Sequence, residues 1–274
     1  MSGGLAVPFA GLPGGGRSTV GVSGRVAVVT GAASGQGRAT SRLLAGEGAL
    51  VAALDVDTTG LARLVDEISD TGARCRGFQV DVSDAEAVAA AFAEIEADLG
   101  RAYVLAAAAA IYPPGVLSHL RDPEETARIF DVNLMGVVHC ASAATRQMIE
   151  EGRGGRIILW SSIGAGSVIA GHAAYCAGKA GIEGLGRALA AELGPYGVTV
   201  NPLAPGAIDT PMLSDTPPDP AYYEVLPVGR AGTPGEVAHL VSYLCSDASG
   251  FMTGAVLALD GGLSGVNGAV RPDV

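Results

Sequence analysis

The sequence predicts an α/β fold, a parallel sheet assembled from βαβ units within a single domain. Three observations predict it. From Arg25 onward, short aliphatic runs alternate with longer alanine-rich segments of helical period, which is the pattern of strands joined by crossover helices. The strand runs, Val-Ala-Val-Val from Val26 and Arg-Ile-Ile-Leu-Trp from Arg156 among them, are largely continuous in apolar residues, as strands covered on both faces must be. The length of 274 residues suits one large domain and is short for two.

Taken in order, residues 1–22 are rich in glycine and proline and lack the basic start and long apolar run of a signal peptide, so they read as a flexible extension. The domain is expected over 23–264. Its seven predicted strands are Val26 to Thr30, Leu50 to Asp55, Arg76 to Val80, Tyr103 to Ala108, Gly155 to Ser161, Val198 to Leu203 and Val256 to Leu259. Helical period places helices over Gly37 to Ala45, Thr59 to Ser69, Asp84 to Leu99, Pro123 to Met148, Ala173 to Leu193 and Pro234 to Ser246. The proline- and aspartate-rich stretch Thr210 to Pro227 breaks the alternation; a long irregular insertion in a compact fold is usually functional, and this one is the candidate substrate lid. Residues 265–274 read as a C-terminal tail.

Composition narrows the function classes. A hydrophobic content of 49% with 41 glycines and 5% aromatics fits a packed aliphatic core. The net charge of -11 repels phosphodiester backbones and argues against nucleic acid as a partner. Cys75, Cys140, Cys176 and Cys245 show no metal-ligand spacing and read as buried thiols of a reducing compartment, with no metal site. No stretch of about 18 uninterrupted apolar residues suggests a membrane span. The expected location is the cytoplasm.

The first strand runs straight into Thr30-Gly31-Ala32-Ala33-Ser34-Gly35-Gln36-Gly37. Glycines there let the backbone turn sharply and approach a pyrophosphate, whose charge the following helix N-terminus stabilises. Gly31, Ser34, Gly35, Gln36 and Gly37 are therefore candidate cofactor ligands. Asp55 ends the second strand, 18 residues after Gly37, where a carboxylate accepts hydrogen bonds from ribose hydroxyls and repels a 2′-phosphate. Neither Ser34 nor Val56 brings a positive charge, and Arg38 lies inside the helix, so NAD is expected over NADP. Asp81 and Val82, after the third strand, are placed beside the adenine; Asp81 to Asp84 also reads as a helix cap with an acidic first turn.

Tyr175 and Lys179, in the run AYCAGKAG, stand at i,i+4 spacing on one helical face. A free tyrosine titrates near pH ~10, and a cation held beside it favours the phenolate, which brings proton exchange with an alcohol or ketone within reach. Spacing alone equally fits a packed aromatic beside a solvated lysine. His172 lies nearby, but the chain has no GxSxG elbow, so it reads as a pocket-rim or structural residue.

Together these residues resemble the short-chain dehydrogenase/reductase family, over the chain from Arg25 to about Ser264. Gly31, Gly35 and Gly37 match its cofactor turn, Asn133 in DVNLMG its helix asparagine, and Ser162, Tyr175 and Lys179 its serine, tyrosine and lysine. Asn201 to Thr210 (NPLAPGAIDT) is similar to the segment that closes on the nicotinamide, and Gly229 to Pro234 with Asp260 to Gly262 to the C-terminal signature. The resemblance implies a Rossmann-like, doubly wound sheet with helices on both faces. It implies Tyr175 as general acid/base and Ser162, selected over its neighbour Ser161, as the hydroxyl that orients the substrate oxygen. Lys179 would lower the phenol's pKa and donate to the nicotinamide ribose, and Asn133 would position a water linking Lys179 to solvent, or else satisfy backbone groups in a helix kink. Ala108, Pro205, Gly206, Ile208 and Thr210 join the cofactor set. A homo-oligomer, tetramer or dimer, is implied, with an interface on the helices that begin near Pro123 and Ala173; Gly178, Gly181, Gly184, Gly186 and Ala190 would permit close packing there, or packing of that helix on its own sheet.

The chain departs from the family at Ala106 to Ala110, where asparagines and a glycine are usual, and at Gly178, where serine is common. Aligned on Ile111, alanines stand at 107 and 108 in place of amides; their lost hydrogen bonds, about 1 kcal/mol each, are expected to weaken cofactor binding. The substrate wall is assigned to Ile163, Ile169, Met212 and Leu213, with Tyr112, Tyr222 and Tyr223 beside them. That wall suits a small to medium apolar or cyclic secondary alcohol or ketone. A 3-oxoacyl thioester reductase is the enzymatic alternative, disfavoured by Asp55, with Arg121, Arg153 and Arg230 as scattered cations for an anionic carrier. A non-catalytic cofactor-binding or scaffold protein is the alternative of another class.

Overall fold

The structure, a computed structural model, describes residues 21–168, 170–215 and 221–265. Seven strands, β1 (Val26–Thr30), β2 (Leu50–Asp55), β3 (Cys75–Gln79), β4 (Ala102–Ala107), β5 (Gly155–Trp160), β6 (Val198–Pro205) and β7 (Leu257–Leu259), form one sheet in the order β3-β2-β1-β4-β5-β6-β7. Every pairing is parallel. The central strands β1, β4, β5 and β6 are buried at every residue, which is why they read as unbroken apolar runs rather than alternating ones. β1 and β2 stand where the sequence placed them; the others shift at their ends, β6 by two residues to Pro205.

Helices cover both faces. α1 (Gly35–Gly46), α2 (Thr58–Ser69) and α9 (Pro234–Cys245) lie over one apolar layer, through Leu44, Leu64 and Val241. α3 (Ala85–Asp98), α5 (Gly136–Glu151) and α6 (Ala173–Leu193) lie over the other, through Ile95, Met148 and Ile182. Local sequence sets the helix starts. Asp57 and Asp84 accept from the first backbone N–H groups of α2 and α3, and Thr233 with Glu236 closes a reciprocal capping box on α9. The chain order reverses between β1 and β4, so the crevice beyond the C-terminal ends of these two strands is where an open sheet binds ligands.

One expectation changes. The helix read as one piece from Pro123 to Met148 is α4 (Pro123–Phe130), a π-helical turn Asp131–Met135 and α5, which runs on to Glu151. At Gly136 a Cβ would stand 2.6 Å from Val82 Cγ2, so the helix passes too close to the β3–α3 connection for a side chain. Val22, just ahead of the expected domain start, is wholly buried; residues 1–20 and 266–274 lie outside the described residues. In α6, a Cβ at Gly186 would stand 2.3 Å from Pro202 and one at Gly181 3.2 Å from Leu134. These glycines serve packing on the protein's own β6 and π turn; of the group, Gly184 is open. Among the described residues the Thr210 to Pro227 insertion carries two short helices, α7 (Pro211–Asp215) and α8 (Ala221–Val225). Cys140, Cys176 and Cys245 are buried thiols, while Cys75 on the edge strand β3 is half-buried. No described helix is long and apolar enough to cross a membrane.

Candidate active site

A cleft of about 780 Å³ opens at the C-terminal edge of the sheet. At one end is the glycine-rich turn. Gly31 adopts φ 65°, and a Cβ on it would lie 2.9 Å from the backbone of Ala109; a Cβ on Gly37 would lie 2.2 Å from the Gly31 carbonyl oxygen. Helix and strand are thus in contact there with no room for a side chain. Ser34, the N-cap of α1, makes no side-chain capping bond, and the first turn of α1 carries no acid, so its N-terminal N–H groups and partial positive charge face the cleft. A pyrophosphate suits this cradle.

Asp55 sits beside the turn and organises it: Oδ2 accepts from Ala33 N at 2.9 Å and Oδ1 from Asp57 N at 3.0 Å. The guanidinium of Arg38 is committed to the carbonyls of Ala33 and Gly60 and to Glu67. Val56 borders the cleft and is well exposed. Further along, Asp81 accepts from Ser83 through Oδ1 and from Arg128 Nη2 at 2.8 Å through Oδ2. Burial pushes the Asp81 carboxyl up, yet these hydrogen bonds outweigh it and its pKa falls below the ordinary value. Arg128 also lines the cleft and went unseen in the sequence, because its partners lie 45 and 47 residues away.

The alanine run closes the floor. With no side-chain amide of its own, it is held by others: Ala109 N donates to Thr30 Oγ1 at 3.0 Å, and Asn133 clamps Ile111 from both sides, Oδ1 accepting from Ile111 N and Nδ2 donating to Ile111 O, each at 2.8 Å. The reading of Asn133 as a residue that satisfies backbone groups is the one these bonds support. Its side chain is wholly buried in the π turn and bonded to both backbone groups of Ile111, so it fixes the cleft floor.

At the far end Ser162, Tyr175 and Lys179 converge. Ser162 follows β5, accepts from Gly164 N at 3.1 Å and hydrogen-bonds the Tyr175 hydroxyl. Ser161 points away, its single hydroxyl proton shared between the Lys179 carbonyl and Glu183 Oε1, both at 3.1 Å, which leaves Ser162 as the hydroxyl beside Tyr175. Lys179 is only 2% exposed, which rules out the solvated-lysine reading. Its Nζ donates to the Trp160 carbonyl at 2.7 Å and stands 5.6 Å from the centre of the Tyr175 ring. Burial moves the two groups in opposite directions: it pushes Lys179 down to about 7, and it pushes the Tyr175 phenol up to about 12 against the opposing Ser162 hydrogen bond. Desolvation disfavours each charge taken singly, and the nearby ammonium acts on the phenol against that background.

The remaining wall is apolar and aromatic. Tyr112 stacks on His172 with ring centres 4.3 Å apart and planes at 7°, and meets Tyr175 edge-on at 4.7 Å. Burial, then Arg121, lowers the His172 pKa, keeping that ring neutral near pH 7. Ile163, Met212, Leu213 and Tyr222 complete the wall. Tyr223 packs edge-on against Tyr222, and Ile169 lies outside the described residues. The cleft also takes in Pro205, Gly206, Ile208 and Thr210 from the end of β6, with Ala108 and Val82 opposite.

A doubly wound sheet with a phosphate cradle at its switch point and a Ser–Tyr–Lys cluster at the same edge defines a nicotinamide-dependent oxidoreductase class. The comparisons agree. A family model described as enoyl-(acyl carrier protein) reductase matches residues 31–264. A cis-4-hydroxycyclohexanecarboxylate dehydrogenase of Sinomonas cyclohexanicum is 39% identical, over 88% of this chain and 97% of its own. A 3-oxoacyl-[acyl-carrier-protein] reductase, FabG, of Pseudomonas aeruginosa is 35% identical, over 88% and 98%. A solved short-chain type dehydrogenase/reductase from Mycobacterium marinum superposes with a TM-score of 0.85 at 32% identity, covering 90% of this chain and 98% of that one. The chain belongs to the short-chain dehydrogenase/reductase family.

Proposed function

We propose that the protein is an NAD-dependent dehydrogenase of small to medium apolar or cyclic secondary alcohols, working reversibly on the matching ketones, with Tyr175 as the proton-transfer group. The observation that carries this reading is the Ser162–Tyr175–Lys179 cluster facing a neutral, aromatic wall within the same cleft as the phosphate cradle. When bound, the dinucleotide supplies the hydride acceptor or donor. Ser162 orients the substrate oxygen. Tyr175 exchanges a proton with that oxygen, and Lys179 supplies the opposite charge: burial opposes either charge singly, so proton loss from Tyr175 and proton retention by Lys179 favour one another.

Asp55 and the commitment of Arg38 to Glu67 support NAD, since a 2′-phosphate would meet a carboxylate and no free guanidinium from α1. The thioester alternative draws no support from the arginines that could receive an anionic carrier. Arg121 is spent on the carbonyls of Pro114 and Gly171, Arg230 on Glu236, and Arg153 pairs with Glu151. The homo-oligomer implied by kinship belongs to the same proposal, and light scattering of the purified chain reads its mass.

Following NADH absorbance over a panel of cyclic and aliphatic secondary alcohols, with NAD and NADP in parallel, tests the reading. Turnover with NAD is expected, and Tyr175→Phe should abolish it while leaving cofactor binding intact. Near-normal turnover in that variant overturns the assignment of Tyr175, and a clear preference for NADP overturns the role given to Asp55.

A further inference from the structure

Trp160 is the single tryptophan of the chain. It ends β5 with its side chain buried, and its indole Nε1 donates to Gln36 Oε1 at 2.8 Å. Gln36 stands in the first turn of α1, between two glycines of the phosphate cradle. The strands that lead to these residues, β1 and β5, are not neighbours, because β4 lies between them. The bond therefore crosses the end of β4. It can do so because β4 runs out into alanines: Ala106 and Ala108 share an apolar layer with Trp160, and methyl groups leave room for the indole to reach α1.

The other end of Trp160 faces the chemistry. Its carbonyl accepts from Lys179 Nζ at 2.7 Å, and the next residue, Ser161, donates to the Lys179 carbonyl at 3.1 Å. One residue further on is Ser162. A single residue thus holds the phosphate turn by its side chain and the lysine ammonium by its backbone.

The geometry points to Gln36 and Trp160 as a positioning pair that couples the cofactor turn to Lys179, their hydrogen bond fixing the end of β5 at the height where its carbonyl seats the ammonium and Ser162 meets Tyr175. The pair touches neither reacting atom and acts through Lys179 and Ser162. The role rests on the catalytic reading above, and it is specific to a chain that has both a glutamine in the turn and alanines under the indole.

The test uses the full-length protein with Gln36→Met, which keeps length and removes the acceptor, Trp160→Phe, which removes the donor, and the double variant. The first readout needs no turnover: the emission of the lone tryptophan should shift in Gln36→Met relative to wild type, and the response of wild-type emission to added NAD should be blunted in that variant. The second is kinetic. Each single variant is expected to lower kcat roughly fivefold, the double variant no further, with the acidic limb of the kcat–pH profile displaced in all three. Identical emission in wild type and Gln36→Met overturns the pairing. Losses that multiply in the double variant, or a pH profile that stays in place, reduce it to packing and overturn the coupling. Should wild type turn over no alcohol at all, the catalytic reading fails by itself, and the emission arm still decides whether the two residues are joined.

Discussion

Lys179→Met should make the protein more stable and remove much of its pH dependence. The ammonium is 2% exposed, donates to the Trp160 carbonyl at 2.7 Å, and burial holds its pKa at about 7 against 10.5 in the free side chain. A lysine with a depressed folded-state pKa penalises folding: the penalty is full below about pH 7, shrinks as pH rises toward 10.5, and is absent above. Across that window the unfolded chain holds the extra proton. At ~1.36 kcal/mol per pH unit, the whole window is worth on the order of 5 kcal/mol, and the part between about pH 6 and pH 9 about 3 kcal/mol. Methionine of similar length leaves the Trp160 carbonyl without its donor, a cost of about 1–3 kcal/mol. The variant should therefore be stabilised by roughly 2–4 kcal/mol near pH 6 and gain little or nothing near pH 9. Urea unfolding of both proteins at the two pH values measures this, with no requirement for activity. Stability curves for wild type and variant that run parallel from pH 6 to pH 9 would refute the claim that the folded state buries this charge at a cost.

Two further outcomes follow from contacts in the cleft. Gly37→Ala would bring a methyl to 2.2 Å from the Gly31 carbonyl oxygen, so the turn must open; NAD affinity, read by titrating protein fluorescence, should fall by roughly tenfold or more, and unchanged affinity would mean that the cradle does not hold the cofactor. Tyr112→Ala removes the ring that stacks on His172 and meets Tyr175 edge-on. It should raise KM for cyclic alcohols several-fold more than for short linear ones, and equal effects on both would take Tyr112 out of the substrate wall.

What could be read from the sequence was what depends on neighbours along the chain. β1 and β2 were placed to the residue, because strands covered on both faces are unbroken apolar runs with turns at each end. The glycine turn, Asp55, Ser162, Tyr175 and Lys179, each a residue type at a fixed offset from an element's end, line one cleft in the structure. What depends on packing was not legible. The π turn at Asp131–Met135 leaves the apolar period nearly intact, and its cause, the approach of Gly136 to Val82, joins segments 54 residues apart in number. The partner of Asn133, Ile111, lies 22 residues away, so no local pattern could name it. The bond from Trp160 to Gln36 spans 124 residues. No local pattern announces it.

The charge state of the pair is where burial adds to what spacing alone suggests. Spacing places a cation beside a phenol and predicts that the phenol ionises more readily. The structure adds burial, which acts on both groups and sends Lys179 toward 7 while sending Tyr175 toward 12. The two shifts belong to one coupled system: with Lys179 neutral the phenol keeps its proton, and charge on one group lowers the cost of opposite charge on the other. A site arranged this way carries a folding penalty, since a methionine in place of Lys179 would pack without a charge to desolvate. That penalty is informative about role. A lysine kept at 2% exposure and bonded to the Trp160 carbonyl is not explained by stability, and perturbed pairs in a cleft are where proton-transfer chemistry is sought. The stability measurement on Lys179→Met thus bears on function as well: the larger the stabilisation on removing the ammonium, the stronger the case that catalysis, and not the fold, requires it there.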